Sequence, residues 1–161
     1  MSETYEGACL CGRLTFRLSG APIMVNCCHC RDCQRLTGSA FAVNVVIESD
    51  RLTRTGPNWS PRDETGTGEG DLAWRCAECG VLLFAEHPMF GRALMFVRAG
   101  TLDRGAELSP SAHFFTRSRY PWIAIPDGAV AFETLPGDGE AMELGAEARL
   151  RLQAASAGER T

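Results

Sequence analysis

Apolar residues in this chain alternate with polar ones in short runs, and glycine and proline punctuate the runs. Leu14, Phe16 and Leu18 alternate with Arg13, Thr15 and Arg17, the period of a half-buried strand. Ser19-Gly20-Ala21-Pro22 turns the chain, and Ile23-Met24-Val25 begins a second strand. Residues 41–47 are rich in β-branched side chains and predict a third strand, with 51–55 expected to pair with it as a hairpin. Residues 72–75, 81–84, 93–97, 112–116, 122–125 and 129–132 continue the series, and Ala99-Gly100 closes the 93–97 run. Between Asp32 and Leu36 one or two helical turns are expected, ended by Gly38.

Two stretches break this rhythm. Residues 56–70 hold Gly, Pro, Ser, Asp and Glu with few apolar positions and read as a long surface loop. Trp59 within it reads as a staple to the core, the alternative being part of a ligand lid. Pro136-Gly137-Asp138-Gly139 then interrupts the chain, and 140–161, rich in Ala, Glu, Arg and Leu, reads as a helix with a frayed end. Short strands at this spacing predict a mainly β fold with a short C-terminal helix: one domain over residues 4–135 and a tail over 136–161.

Composition narrows the classes. The chain of 161 residues is long enough to bury a core, and its formal charge of −4 argues against non-specific nucleic-acid binding. No run of eighteen apolar residues suggests a membrane span, and residues 1–6 lack the basic and apolar regions of a secretory signal, so the expectation is cytoplasmic. Every basic residue is arginine; coding bias accounts for that most simply, though arginine forks also suit small carboxylate ligands.

The cysteines change the picture most. Four of the eight fall in Cys27-Cys28-His29-Cys30-Arg31-Asp32-Cys33, and the rest are two pairs, Cys9-Leu10-Cys11-Gly12 and Cys76-Ala77-Glu78-Cys79-Gly80. In a reducing compartment such clusters are better metal ligands than disulfides. Each pair is knuckle-like, with a glycine after its second cysteine to accept the left-handed conformation of a tight turn. Together Cys9, Cys11, Cys76 and Cys79 make a closed tetrahedral Cys₄ zinc shell, a structural type. Cys28, Cys30 and Cys33 wrap a second zinc with three sulfurs and leave one coordination position, the mark of a catalytic zinc. Cys27 reads as a small buried residue, or else as a fourth ligand sealing that site. His29 is expected to point away from the metal. A zinc ringed by thiolates is a weak Lewis acid, which favours chemistry on an incoming thiol over hydrolysis.

Several motifs together resemble a known family. They are Gly7-Ala8-Cys9-Leu10-Cys11-Gly12, the run from Cys28-His29-Cys30-Arg31-Asp32-Cys33 through Thr37-Gly38-Ser39-Ala40-Phe41, and Cys76-Ala77-Glu78-Cys79-Gly80. Ala99-Gly100-Thr101-Leu102-Asp103, His113-Phe114-Phe115 and Arg119-Tyr120-Pro121-Trp122 follow in order. This pattern, over residues 4–135, resembles the glutathione-dependent formaldehyde-activating enzyme family, also called the centromere protein V/formaldehyde-activating domain. The resemblance implies a β-tent of small antiparallel sheets and the two zinc sets just named, one structural and one catalytic. It also implies an activity, the joining of glutathione and formaldehyde into S-(hydroxymethyl)glutathione and the reverse.

On that reading the partners are a small thiol and a small aldehyde. A residue must then protonate the nascent alkoxide; His113 is the first candidate and Asp32 the second. For His113 the rival role is a packed strand histidine. Arg31, Arg35, Arg117 and Arg119 are candidate grips for ligand carboxylates, though each alone is more simply a solvated surface residue. Competing classes are a non-catalytic zinc-stabilised protein-binding module, a zinc hydrolase and a redox thiol switch.

Overall fold

A computed structural model describes residues 3–59, 62–63, 71–87, 92–136 and 144–157, and among these the chain forms twelve strands and two α-helices. Strands β1 (Thr4–Ala8), β2 (Thr15–Ser19) and β5 (Leu52–Thr55) form a small antiparallel sheet in the order β1-β2-β5. The larger sheet runs β12-β11-β3-β4-β10-β9-β8-β6, with β7 also paired to β8. Its members are β3 (Met24–Cys28), β4 (Ala42–Glu48), β6 (Asn58–Trp59), β7 (Arg62–Asp63), β8 (Asp71–Cys76), β9 (Leu82–Glu86), β10 (Leu94–Arg98), β11 (Ala112–Phe114) and β12 (Val130–Ala131). Its pairings are antiparallel except at one end, where β11 lies parallel to both β3 and β12. The helices are α1 (Arg31–Thr37) and α2 (Ala146–Ala157).

Alternation decides which face of each strand is buried. In β1 and β2 every second residue is buried, so Tyr5, Phe16 and Leu18 face the large sheet and meet Val25, Val45, Ile47, Val97 and Phe84. Arg54 of β5 stacks over the Trp74 ring of β8, its guanidinium carbon 3.9 Å from the ring centre, and ties the sheets together at their rim. The central strands β3 and β4 are buried nearly throughout, as expected for strands covered on both faces.

The second face of the large sheet is covered by the tail. Leu144, Ala148, Leu152 and Ala155 pack against Met24, Val46, Leu94, Ala112 and Phe114. The Arg151 guanidinium grips the Glu48 carboxylate with two hydrogen bonds, 2.7 and 2.5 Å, where both side chains are mostly shielded. Burial works most strongly against ionised Glu48, but the Arg151 hydrogen bond, a backbone hydrogen bond and the charges of Arg151 and Arg51 together outweigh it and hold the carboxyl below its ordinary value. The pair therefore stabilises the fold above the unfolded glutamate pKa of about 4.3 and loses its effect as the pH falls through the lowered folded value. R151M is expected to cost about 2 kcal/mol at pH 7, the worth of a charged hydrogen bond, with the difference from wild type vanishing below the carboxylate range. Thermal melts of both proteins across pH 3–7 measure this.

Several expectations need correction. Residues 51–55 do not form a hairpin with 41–47: a 3₁₀ turn over Ser49–Arg51 redirects the chain, and β5 pairs with β2 instead, Leu52 opposite Leu18. Residues 122–125 are not a strand. Pro121 and Pro126 bracket the segment and donate no hydrogen bonds, and Ile123 N–H closes a turn on Tyr120 O. The 56–70 stretch contributes β6 and β7; residues 60–61 and 64–70 lie outside the described residues. Trp59 is 54% exposed, so it is no core staple. Strand β1 is an element that pattern reading missed, because Tyr5 is its only large apolar residue. Among the described residues no helix is long and apolar enough to cross a membrane.

Candidate functional site

Two sulfur clusters emerge from these elements. The first joins both knuckles, and the ligand atoms of Cys9, Cys11, Cys76 and Cys79 all lie within 4.8 Å of one another. Gly12 (φ 74°) and Gly80 (φ 72°) take the left-handed conformation, and each donates its N–H back to the first cysteine of its turn. Cys9 and Cys11 sulfurs are 3.4 Å apart, Cys11 and Cys76 sulfurs 3.8 Å. A tetrahedral shell with Zn–S bonds of ~2.3 Å sets its sulfurs ~3.8 Å apart, so the four positions fit zinc. Across the gap Arg13 of one turn bonds Glu78 of the other at 3.0 Å. Cys9 shows how the cluster holds charge. Burial resists its ionisation, yet the Leu14 N–H and the neighbouring thiols draw it down to about 6.

The second cluster sits where β3 runs into α1. Cys28 ends the strand, Cys30 caps the helix and Cys33 occupies its first turn, with the three sulfurs within 4.8 Å of one another. The Cys30 sulfur accepts the Cys33 N–H at 3.3 Å, the capping bond that serine makes in other helices. Hydrogen bonds from Cys28, then Cys33, and the backbone N–H groups of Cys33 and Asp32 draw Cys30 down to about 2, against burial. Cys28 is raised in turn, first by its bonds to Cys30 and Cys33 and then by burial. One sulfur thus carries charge that its neighbours' protons stabilise, and a divalent cation suits such a donor set. Among the described residues no fourth Cys, His or carboxylate joins this set.

Cys27 is not part of it. The pleat turns Cys27 to the opposite face from Cys28, where it is buried and its thiol is pushed up to about 11 by burial. His29 likewise is no member of the cluster; it is fully buried, and its Nε2 lies 3.1 Å from His113 Nδ1. Burial lowers both imidazoles first; His113 and then Arg119 add to the effect on His29, and Arg119 adds to that on His113. His113 pairs with Cys27 in register and shares its face, away from Cys28. Asp32, in contrast, stands in the first turn of α1 between Cys30 and Cys33.

A cleft of about 480 Å³ opens along α1, lined by Arg31, Gln34, Arg35, Ser39, Tyr120 and Trp122. Arg31 donates to Gln34 Oε1 at 2.6 Å and sits over the Tyr120 ring, and Gln34 anchors the helix to His29 O and Ser118 O. Trp122 is 72% exposed beside Tyr120. Of the four candidate arginines, Arg31 and Arg35 line this cleft. Arg119 instead donates to Ile123 O, and Arg117 is exposed. Sequence reasoning missed Tyr120 and Trp122 as lining residues; their signal was the Arg119-Tyr120-Pro121-Trp122 segment, an aromatic pair flanking a proline, which carried the resemblance but no site role.

The chain is thus of a mainly β class that carries two cysteine clusters able to hold metal ions, one of four sulfurs and one of three on the helix that borders a basic cleft. More narrowly, it belongs to the glutathione-dependent formaldehyde-activating enzyme family, whose model matches residues 4–118. No curated protein sequence matches the chain. A crystal structure of a Rhodobacter sphaeroides protein is similar at a TM-score of 0.46 and 17% identity, over 62% of this chain and 88% of that one.

Proposed function

We propose that this protein is a carbon–sulfur lyase and synthase of the S-(hydroxymethyl)glutathione type. It adds a glutathione-like thiol to a small aldehyde and cleaves the S-hydroxyalkyl adduct again, on a β-tent scaffold in the cytoplasm. The observation that carries this reading is the contrast between the two clusters. Cys9, Cys11, Cys76 and Cys79 supply the four donors of a tetrahedral site, whereas Cys28, Cys30 and Cys33 stop one donor short, on the helix that borders the cleft. Zinc held by the three sulfurs favours the thiolate form of an incoming thiol.

The protein's own groups do the rest. Arg31 and Arg35 receive the carboxylates of the thiol and place its sulfur at the helix N-terminus. The proton that leaves the thiol passes to a base and returns to the oxygen of the adduct. Asp32 is the better placed of the two candidates, because His113 is committed to His29 on the other face.

Acceleration of the exchange between ¹³C-formaldehyde plus glutathione and their adduct, followed by NMR at equilibrium, tests the proposal. A protein carrying two zinc ions that leaves the exchange at its uncatalysed rate would be a scaffold for binding other molecules. Arg35→Ala is expected to raise the KM for glutathione about tenfold, since a hydrogen bond to a charged group is worth ~1.5–3 kcal/mol. The same variant should leave the KM for 2-mercaptoethanol, which has no carboxylate, unchanged.

A further inference from the structure

One face of the large sheet changes character row by row. Beneath α2 it is apolar, with Met24, Val46 and Phe96 level across β3, β4 and β10. One row further on, Asn26, Asn44 and Arg98 are level. The next row holds Cys28, between Ala42 and Phe114. Polar side chains in such a position are costly to bury unless they are paired. These three hold one another: Asn44 Nδ2 donates to Asn26 Oδ1 at 3.2 Å, and Arg98 Nη1 donates to Asn44 Oδ1.

The row is not satisfied from within. Arg98 Nε and Asn26 Nδ2 are buried without an acceptor, and Asn26 is 1% exposed. A buried donor left unpaired costs about 1–3 kcal/mol. Among the described residues no carboxylate pairs with Arg98. Its row lies next to the row of Cys28 on the same face of the sheet.

We propose that Arg98, positioned by Asn44 and Asn26, is the oxyanion-stabilising residue of the three-cysteine site and receives the aldehyde oxygen as it becomes an alkoxide. This rests on the thiol–aldehyde reading above. When the thiolate sulfur attacks the carbonyl carbon, a C–S bond forms and the π pair of the C=O bond moves to oxygen. The proton given up by the thiol returns to that oxygen, so thiol plus aldehyde equals adduct and nothing is oxidised or reduced. Negative charge thus moves from sulfur to an oxygen two bonds away. A fixed guanidinium with an unused N–H, one row from Cys28 on the same face of the sheet, meets the charge where it arrives, without reorganising. The carboxylates of a glutathione-like thiol lie many bonds from its sulfur, and the cleft arginines answer those.

The test uses cobalt(II)-loaded protein titrated with thioacetate, whose S–C–O skeleton matches that of the adduct, and with ethanethiol, which offers sulfur alone. The d–d and sulfur charge-transfer bands report binding of each. R98M is expected to weaken thioacetate about tenfold and leave ethanethiol unchanged, and R98K to recover part of the loss. In turnover R98M should lower kcat about 100-fold, the usual effect of losing one oxyanion donor, with the KM for glutathione unmoved. Circular dichroism establishes which variants fold; if R98M does not, R98K alone carries the comparison. A thioacetate-to-ethanethiol preference unaltered in the folded variants overturns the assignment and leaves the thiol–aldehyde reading standing. No band shift with either thiol in wild type overturns both.

Discussion

Cys76→Ser is expected to yield protein that does not fold. Cys76 is 1% exposed and lies in the main core with Cys9, Leu14 and Phe84, so the change puts a hydroxyl in an apolar setting and removes one of four sulfurs. The larger effect is on the metal. A structural Zn²⁺ contributes an apparent ~10–16 kcal/mol of folding free energy at pH 7, as much as the ~5–15 kcal/mol that separates folded from unfolded domains. The cluster also ties the turn after β1 to the end of β8, closing a long loop that strand pairing would otherwise close alone. Bound zinc, the circular dichroism spectrum and the thermal melt report the result together. A C76S protein that melts like wild type would show that this cluster is no scaffold.

Cys30→Ser is expected to do the opposite: keep the fold and remove the activity. Cys30 caps α1 through its sulfur, and serine is among the best helix caps, so the helix keeps its start. Its sulfur is the one that Cys28, Cys33 and two backbone N–H groups stabilise as thiolate, so its loss leaves the second donor set with two sulfurs. Metal assistance is worth several kcal/mol, and losing ~4 kcal/mol of it lowers the rate about a thousandfold. Zinc per chain should fall from two to one while the melting temperature stays near that of wild type. Activity retained in C30S would move the chemistry away from the three-cysteine cluster. The two variants together separate the scaffold from the site: C76S loses the fold, whereas C30S keeps the fold and the four-cysteine cluster and loses only the second metal and the activity.

Much of this was legible in the residues. Cys28, Cys30 and Cys33, and the two cysteines of each knuckle, sit close in sequence, and a short turn brings their sulfurs together; only the joining of the two knuckles spans a long stretch of chain. Gly12 and Gly80 mark those turns, and both adopt the conformation that glycine accepts most readily. The long alternating and β-branched runs became strands because side-chain direction follows local backbone period. Reading failed where a partner had to be chosen. Residues 51–55 lie close to β4 in sequence, yet β5 joins β2, because Leu18 and Leu52 meet over the shared core.

The amino-acid order by itself determined the three-cysteine set, the two knuckles, the mainly β architecture and the tight turns, all products of short-range covalent spacing, while the fold brought the two knuckles together. Tertiary structure alone decided that Asn26, Asn44 and Arg98 share one row, that His29 and His113 meet on the face away from Cys28, and that Arg151 clasps Glu48. Those residues are far apart along the chain. Only strand register and helix docking align them, and both are set by the packing of the whole sheet rather than by any segment of it.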